Sequence, residues 1–119
     1  MLENTPQPIP ILTARQKQFL KALAHPLSPL VQIGKEGMSA GIIDTVKAEL
    51  QNHELIKVKI GNNSGLEKHT TSQAVAEQTE SILVQLIGKV FILYKANPEK
   101  AKDKKIKLPS AAKPYPVRQ

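Results

Sequence analysis

The sequence predicts a single α/β domain whose elements follow the order α-β-α-β-α-β-β and form a four-stranded mixed sheet with packed helices. A length of 119 residues and an apolar share of 40% suit one hydrophobic core. Segments with apolar residues at helical spacing alternate along the chain with short apolar runs typical of strands. An early strand–helix–strand unit predicts a parallel pair with a right-handed crossover, and two late apolar runs predict an antiparallel hairpin.

The first predicted helix begins after Thr13 and ends near His25. Thr13 and Gln16 have the spacing of a capping box, and Pro26 stops the helix. The apolar face consists of Leu20, Leu23 and Leu27. The opposite arc carries the cations Arg15, Lys17 and Lys21. The helix is therefore predicted to be amphipathic with a cationic outer surface.

Residues 30–33 form the first predicted strand, which leads directly into the glycine loop, residues 34–37 with the sequence GKEG. Ser39 is the predicted N-cap of a second helix over residues 40–52, and His53 falls on the buried arc of that helix. Residues 55–60 form the second strand, in which Lys57 and Lys59 alternate with branched apolar residues. This alternation predicts one buried face and one face that is solvated or contacts a partner.

The remaining elements are less regular. Residues 61–65 are a loop by composition, and a short third helix is expected over residues 73–79. Residues 81–87 and 90–94 are the last two strands, and the Gly88-Lys89 pair between them is typical of a type II′ turn. We expect residues 1–11 to be a flexible N-terminal segment, residues 12–96 to be the folded domain, and residues 97–119 to be a basic, disordered tail.

Positive charge is concentrated near the C-terminal end. The chain has a formal net charge of +7, and residues 95–119 contain most of the excess of basic over acidic side chains. A basic tail binds any polyanion by releasing counterions, without sequence selectivity. A tail that only keeps the protein in solution is the alternative. The composition therefore permits nucleic-acid binding without establishing it.

Several classes of function lack the residues that they need. There is no cysteine, which excludes disulfides and thiol chemistry. The three histidines, His25, His53 and His69, do not have metal-ligand spacing, and no nucleophile motif or pair of carboxylates accompanies them. No apolar run is long enough to span a membrane, and the first ten residues lack the features of a secretory signal. We predict a cytoplasmic protein that is not an enzyme and uses no metal, cofactor, membrane or small-molecule substrate.

The glycine loop is the main candidate binding element. It lies between a predicted strand and a predicted helix, where open α/β sheets bind ligands. The first turn of the helix offers N–H groups and a positive dipole end to an anion, the two glycines remove side-chain bulk, and Lys35 adds a positive charge. A GxxG loop of this kind clamps nucleic-acid backbones in KH domains. A tight turn that simply requires glycine is the alternative.

Aromatic side chains are scarce, with two Phe, two Tyr and no Trp. A base-stacking sheet needs exposed aromatic residues on its central strands, whereas Phe91 and Tyr94 are predicted to lie in the core or at its edge. Recognition is therefore expected to favour backbone and shape over base identity.

Three segments resemble a known family. They are LTARQKQFLKALAHPLSPLVQIGKEGMS (12–39), HELIKVKI (53–60) and LVQLIGKVFILYK (83–95), and they resemble, in the expected order, the CRM domain, whose bacterial stand-alone form is called YhbY. The resemblance implies a fold related to the C-terminal domain of translation initiation factor three. It also implies RNA binding, association with precursors of the large ribosomal subunit and a role in ribosome assembly. A protein-interaction or structural ribosome-associated component, whose basic tail does the binding, is the alternative.

The resemblance assigns the family's glycine loop to residues 34–37 and its basic first helix to the cations of residues 14–24. Lys89 and Lys95 stand where arginine is common, and lysine lacks the bidentate geometry of arginine. Glu80 stands near the place of a glycine often found before the third strand. The candidate RNA-binding residues are Gly34, Lys35, Glu36, Gly37, Met38, Ser39, Arg15, Lys17, Lys21, Lys57, Lys59, Lys89 and Lys95. The expected partner is ribosomal RNA in large-subunit precursors, bound by a monomer.

Overall fold

A computed structural model describes residues 11–110. Its elements are α1 (Ala14–Ala24), β1 (Val31–Ile33), α2 (Ala40–His53), β2 (Leu55–Ile60), α3 (Lys68–Gln78), β3 (Ile82–Ile87), β4 (Val90–Tyr94) and a short 3-10 helix (Lys102–Lys104). The predicted order of helices and strands is confirmed. The expected flexible segment lies outside the described residues except for Ile11, and residues 111–119 of the expected tail also lie outside them.

The four strands form one mixed sheet with the order β1-β2-β4-β3. β1 and β2 are parallel, with Ile33 beside Ile60, while β4 is antiparallel to both β2 and β3. The predicted parallel pair and the predicted hairpin are therefore confirmed. Gly88 has a φ of +58° and Lys89 does not have a positive φ, which is the pattern of the expected type II′ turn.

The sheet separates two apolar clusters, because successive residues of a strand point to opposite faces. On one face α2 and α3 pack over alternate residues of the central strands, including Val58 and Phe91. On the other face α1 packs Leu20 and Ala24 against Leu55 and its neighbours. Phe91 and Leu20 are fully buried, and each such side chain contributes about 1.5–3 kcal/mol.

The buried arc of α1 differs from the expected one. Gln16, Leu20 and Ala24 are buried at four-residue spacing, whereas Leu23 and Leu27 are 40% and 41% exposed. The predicted capping box at the start of the helix is present. The buried arc includes Gln16 because the end of the described chain covers it, and its side-chain amide donates to the carbonyl of residue 109 at 2.9 Å.

Two other helix expectations are corrected. His53 is exposed at the end of α2, with Nε2 3.4 Å from the Glu49 carboxylate, because the chain turns away from the helix at the next residue. α3 begins at Lys68, several residues earlier than expected. Glu67 is its N-cap, and its carboxylate accepts the N–H groups of His69 and Thr70 at 2.9 and 2.8 Å.

The segment 97–110, which the sequence assigns to a disordered tail, is in contact with the domain. We call this segment the strap. Ile106 and Leu108 pack against the cluster beneath α1, and the backbone N–H groups of Asn97 and Ile106 donate to the buried carboxylate of Glu54. The folded unit therefore extends through residue 110, because apolar side chains anchor the strap. The lysine-rich composition of the segment gave no sign of these anchors.

Candidate nucleic-acid interface

The glycine loop leaves β1 and turns directly into α2. The N–H of Gly37 donates to the carbonyl of Gly34 at 3.0 Å, and Gly37 has a φ of +67°. Ser39 then caps α2, because its hydroxyl accepts the N–H of Ile42 at 3.2 Å. Ala40, the first residue of α2, is exposed. The N-terminal end of the helix and the positive end of its dipole therefore face solvent beside the loop.

A second loop, residues 61–67, lies against the glycine loop because β1 and β2 are parallel and end together. The N–H of Gly61 donates to the carbonyl of Ile33 at 2.8 Å. A Cβ on Gly61 would lie 3.0 Å from that carbonyl oxygen, so a larger residue would push the two segments apart by a few tenths of an ångström. Further along, the side chain of Leu66 lies 3.9 Å from the position that a Cβ of Gly37 would occupy.

The hairpin turn reaches the same end of the sheet. The N–H of Ile60 donates to the carbonyl of Lys89 at 2.8 Å, which places the turn beside the end of β2. Residues 34–39, 61–67 and 88–89 therefore form one continuous border of the molecule. We call this border the glycine edge.

Three exposed lysines lie at or beside the glycine edge: Lys35, Lys59 and Lys89. Their ammonium groups form no hydrogen bond or ion pair with any other residue between 11 and 110. Of the acids nearby, the Glu67 carboxylate is already engaged as the cap of α3. The edge therefore combines exposed backbone donors with unpaired positive charge.

A row of side chains next to the glycine edge is left uncovered by α1. The strand register aligns Gln32 with Lys59, Lys59 with Val90, and Val90 with Ile87. Gln32, Lys59 and Ile87 are exposed, and Val90 is half-buried. Since paired residues share a face, these four side chains cross the sheet as one row. We call it the open row.

Lys17 and Lys21 border the open row from α1. Each residue of a helix advances the side-chain direction by about 100°, which places both lysines on the flank opposite to Leu23. Leu23 lines a groove with Leu55 and Ile106 at the other end of the sheet. The lysine flank therefore faces the open row and, beyond it, the glycine edge.

Three candidate cations are not part of this surface. Arg15 is rotated by roughly 120–160° from Lys17 and Lys21 around α1, so it points away from the open row. The Lys57 ammonium group donates to the carbonyls of His25 and Leu27 at 3.1 and 2.9 Å, where it fastens the end of α1.

Lys95 is the third of these cations, and it lies at the far end of β4. It lies six positions after Lys89, a distance of about 20 Å along a strand. Its ammonium group donates to the carbonyl of Thr79 at 3.2 Å and lies 3.8 Å from the Glu80 carboxylate. The structure therefore separates Lys95 from the glycine edge.

The interface is an open surface, not an enclosed pocket. Two grooves of about 490 and 340 Å³ lie elsewhere, and neither is lined by a residue of the glycine edge. Within residues 11–110 no three His, Cys, Asp or Glu side chains are grouped to hold a metal ion. The helices of this part of the chain are all too short or too polar to cross a membrane.

A model of one protein family, the CRS1 / YhbY (CRM) domain, matches residues 12–95 of the chain. The chain belongs to the CRM domain family. The match covers every helix and strand of the sheet and stops before the strap. The resemblance seen in the sequence is thereby confirmed.

Relatives of this CRM domain are similar over most of their length. A Haemophilus influenzae protein named "RNA-binding protein" is 39% identical over 98 residues, which is 82% of this chain and 95% of that protein. A Bacillus subtilis protein named "Probable RNA-binding protein YqeI" is 38% identical over 99 residues, 83% of this chain and 100% of that protein. The solution structure of SAV1595 from Staphylococcus aureus superposes with a TM-score of 0.68 at 37% identity and covers 83% of this chain and 100% of its own.

The sequence interpretation missed part of the glycine edge. Residues 61–65 were expected to be only a flexible loop, yet Asn62 and Asn63 are exposed beside the glycine loop, and Lys68 follows at the start of α3. A signal was present, because a parallel β1–β2 pair brings the carboxyl ends of both strands to one edge. Any loop that follows β2 is therefore a candidate partner of the glycine loop.

Proposed function

We propose that this CRM domain binds RNA at the glycine edge and holds the ribose–phosphate backbone against residues 34–39. The observation that supports the proposal is the convergence of the glycine loop, the exposed start of α2 and three unpaired lysines. Backbone N–H groups and a helix dipole attract phosphate, and lysines release counterions when they neutralise it. The relatives that are named as RNA-binding proteins support the same function.

The proposed recognition is directed at the backbone and not at the bases. Phe91 is fully buried and Tyr94 is 4% exposed, so neither ring is available for base stacking. The open row offers Gln32 and Lys59, which are polar and cationic, beside Ile87. Such a surface follows the shape and charge of an RNA strand and has little capacity for reading its sequence.

The proposed role is binding without catalysis. The residues of the glycine edge include no histidine. They include two acids, Glu36 and Glu67, and the Glu67 carboxylate is engaged as the cap of α3. General acid–base chemistry needs a second group within hydrogen-bond reach. Affinity and shape are therefore the properties that this edge is suited to supply.

We also propose that the RNA is ribosomal and belongs to precursors of the large subunit, as the family resemblance implies. The test is sequencing of RNA crosslinked to the protein in cells. Enrichment of large-subunit precursor sequences is expected. Crosslinks spread in proportion to the abundance of all cellular RNA would contradict this assignment.

The role of the glycine edge is tested by charge reversal at Lys35. Lys35→Glu replaces attraction by repulsion at the proposed phosphate contact and is expected to weaken RNA binding by more than about tenfold at moderate salt. The side chain is exposed and unpartnered within residues 11–110, so stability should change by less than about 0.5 kcal/mol. Affinity for a short RNA hairpin and the melting temperature are the measurements.

Lys47→Glu is the matched control. Lys47 is exposed on α2, seven residues from the start of the helix, which is about 10 Å along its axis and comparable to the screening length at moderate salt. The control changes the net charge equally but should weaken binding only slightly. Equal losses for the two variants would show that the protein responds to overall charge, as expected if a basic tail does the binding.

A further inference from the structure

A buried carboxylate fastens the strap to the domain. Glu54 is 1% exposed, and its two oxygens accept the N–H groups of Asn97 and Ile106, both at 2.7 Å. Burial of a carboxylate without hydrogen bonds is strongly unfavourable. The strap therefore supplies the two donors that make the burial of Glu54 tolerable.

The backbone at Glu54 indicates that this side chain has a specific role. Its φ is +64°, a conformation that glycine adopts readily and that is unfavourable for glutamate. The carbonyl of the same residue accepts the N–H of Lys95 at 2.8 Å. Burial raises the pKa of Tyr94, and the nearby charge of Glu54 raises it further. Glutamate at this strained position is explained by the two bonds that its side chain makes to the strap.

Further contacts hold the strap along the whole end of the sheet opposite to the glycine edge. At the C-terminal end of α2, the Asn97 amide donates to the carbonyl of Gln51 and the Lys100 ammonium group donates to the carbonyl of Asn52, both at 2.9 Å. At the other end, Leu108 packs beneath α1 and the adjoining carbonyl accepts the Gln16 amide. The strap thus runs across this end from α2 to α1.

Between these anchors the strap carries four lysines whose ammonium groups have no partner in the described part of the chain. They are Lys102, Lys104, Lys105 and Lys107, with Asp103 as the one acid among them. Lys102 and Lys104 lie on a 3-10 helix, and Lys105 is half-buried. These cations project from a backbone that is fixed at both ends, so binding an anion would not require the chain to become ordered first.

We propose that the strap is a second phosphate-binding surface for RNA, which Glu54 keeps in a binding-competent shape. This inference rests on the proposed function. The 14 residues of α2 separate the strap from the glycine edge by about 20 Å. The two surfaces therefore contact separate phosphates of one folded RNA, and each increases the effective concentration of RNA at the other.

The test removes the negative charge of Glu54, for which the two accounts predict opposite changes in RNA affinity. Glu54→Gln removes a negative charge, so a protein that used its lysines only as a flexible polycation would bind RNA more tightly. If Glu54 organises the strap, the same variant should bind a short RNA hairpin about threefold or more weakly despite its higher net charge. Amide hydrogen exchange at Asn97 and Ile106 should accelerate, which would show directly that the strap is released.

A second variant keeps the test decisive if Glu54→Gln does not fold. Ile106→Ala combined with Leu108→Ala weakens the apolar anchors of the strap without changing any charge, and both side chains lie outside the fully buried core. It should also lower affinity by about threefold. Reversal of charge at Lys102 and Lys104 together should lower affinity in the native background and have a smaller effect when the strap is released.

The outcomes separate this inference from the proposed function when Lys35→Glu is measured in the same assay. Release of the strap with unchanged or tighter RNA binding overturns the inference, and so does unchanged hydrogen exchange in Glu54→Gln. If Lys35→Glu weakens binding while either of these results is found, RNA binding at the glycine edge is supported and binding by the strap is not. If only the strap variants weaken binding, RNA binding by the strap is supported and binding at the glycine edge is overturned.

Discussion

Gly34 and Gly37 belong to one loop, yet they differ in backbone conformation and therefore in how well each position tolerates a side chain. A Cβ at Gly34 would have no heavy atom within 4 Å apart from those of its chain neighbours, and the φ of Gly34 is not in the positive region. At Gly37 a Cβ would make only an ordinary contact with Leu66, but the φ of +67° disfavours any L side chain. A substitution at Gly34 therefore tests steric exclusion of RNA, whereas a substitution at Gly37 tests backbone strain in the free protein.

Alanine at each glycine gives a prediction for each effect. Gly34→Ala should leave the melting temperature unchanged and weaken RNA binding several-fold, because its methyl group occupies space that the RNA backbone would use. Gly37→Ala should lower the stability of the free protein by about 1 kcal/mol. Denaturant unfolding and RNA titration measure the two effects. Normal RNA affinity in Gly34→Ala would show that the backbone of the ligand does not approach this glycine.

At the residue scale, helix caps were predictable from the sequence, but the hydrogen-bond partners of long side chains were not. The capping box of Thr13 and the N-cap Ser39 follow from local spacing, and both are confirmed. Lys57 was a candidate RNA ligand because it alternates with apolar residues, but its partners are carbonyls about 30 residues earlier in the chain. Glu80, near the family's glycine, does adopt a φ of +55°. Only the three-dimensional packing decides such outcomes.

At the element scale, α3 depends on an acidic N-cap. Hydrogen bonds from the backbone N–H groups of His69 and Thr70 lower the pKa of Glu67 from 4.5 to about 2. Because the folded state favours the ionised form, the contribution of Glu67 to stability is complete above about pH 4.5 and disappears as the pH falls toward 2. This cap also positions residues 61–67, whose Leu66 lies beside the glycine loop.

The corresponding prediction concerns stability in acid. Glu67→Gln should lower the melting temperature at neutral pH, and the difference from the native protein should shrink as the pH falls from 4.5 toward 2. Thermal unfolding at a series of pH values measures this. His69, 2.9 Å from the same carboxylate, is tested separately with His69→Gln, which should leave this acid transition in place. A difference between Glu67→Gln and the native protein that stays constant in acid would contradict the role of the charge.

The start of α3 could not be predicted because its first residues have little helical periodicity. Residues 68–72 read KHTTS, which contains no apolar side chain to mark a buried face. Thr71 and Ser72 are nevertheless buried. A charged cap, not an apolar pattern, begins the helix. By contrast, the bounds of β2 and β4 match the predictions. β2 alternates apolar residues with lysines, β4 is an apolar run, and both are flanked by glycine or charged residues.

At the scale of the whole molecule, the two groups of lysines proposed to bind RNA lie at opposite ends of the described sheet, one at the glycine edge and one on the strap. The order of elements and the parallel and antiparallel pairs were predictable, because strand periodicity and crossover handedness restrict the topology. The strap was not, since its lysine-rich composition resembles that of disordered chains and its contacts lie about 40–90 residues away in sequence. The sequence therefore identified the glycine loop but assigned the C-terminal lysines to a flexible tail.

The most direct test of the glycine edge is a residue-by-residue map of the bound surface. Isotope-labelled full-length protein is titrated with a short RNA hairpin, and backbone amide chemical shifts are followed by NMR. We predict the largest changes at residues 34–40, with further changes at residues 61–65 and at Lys89, and little change at Lys47 and its neighbours on α2. Changes confined to the strap and to residues 111–119, with the amides of residues 34–40 unaffected at saturation, would contradict the account.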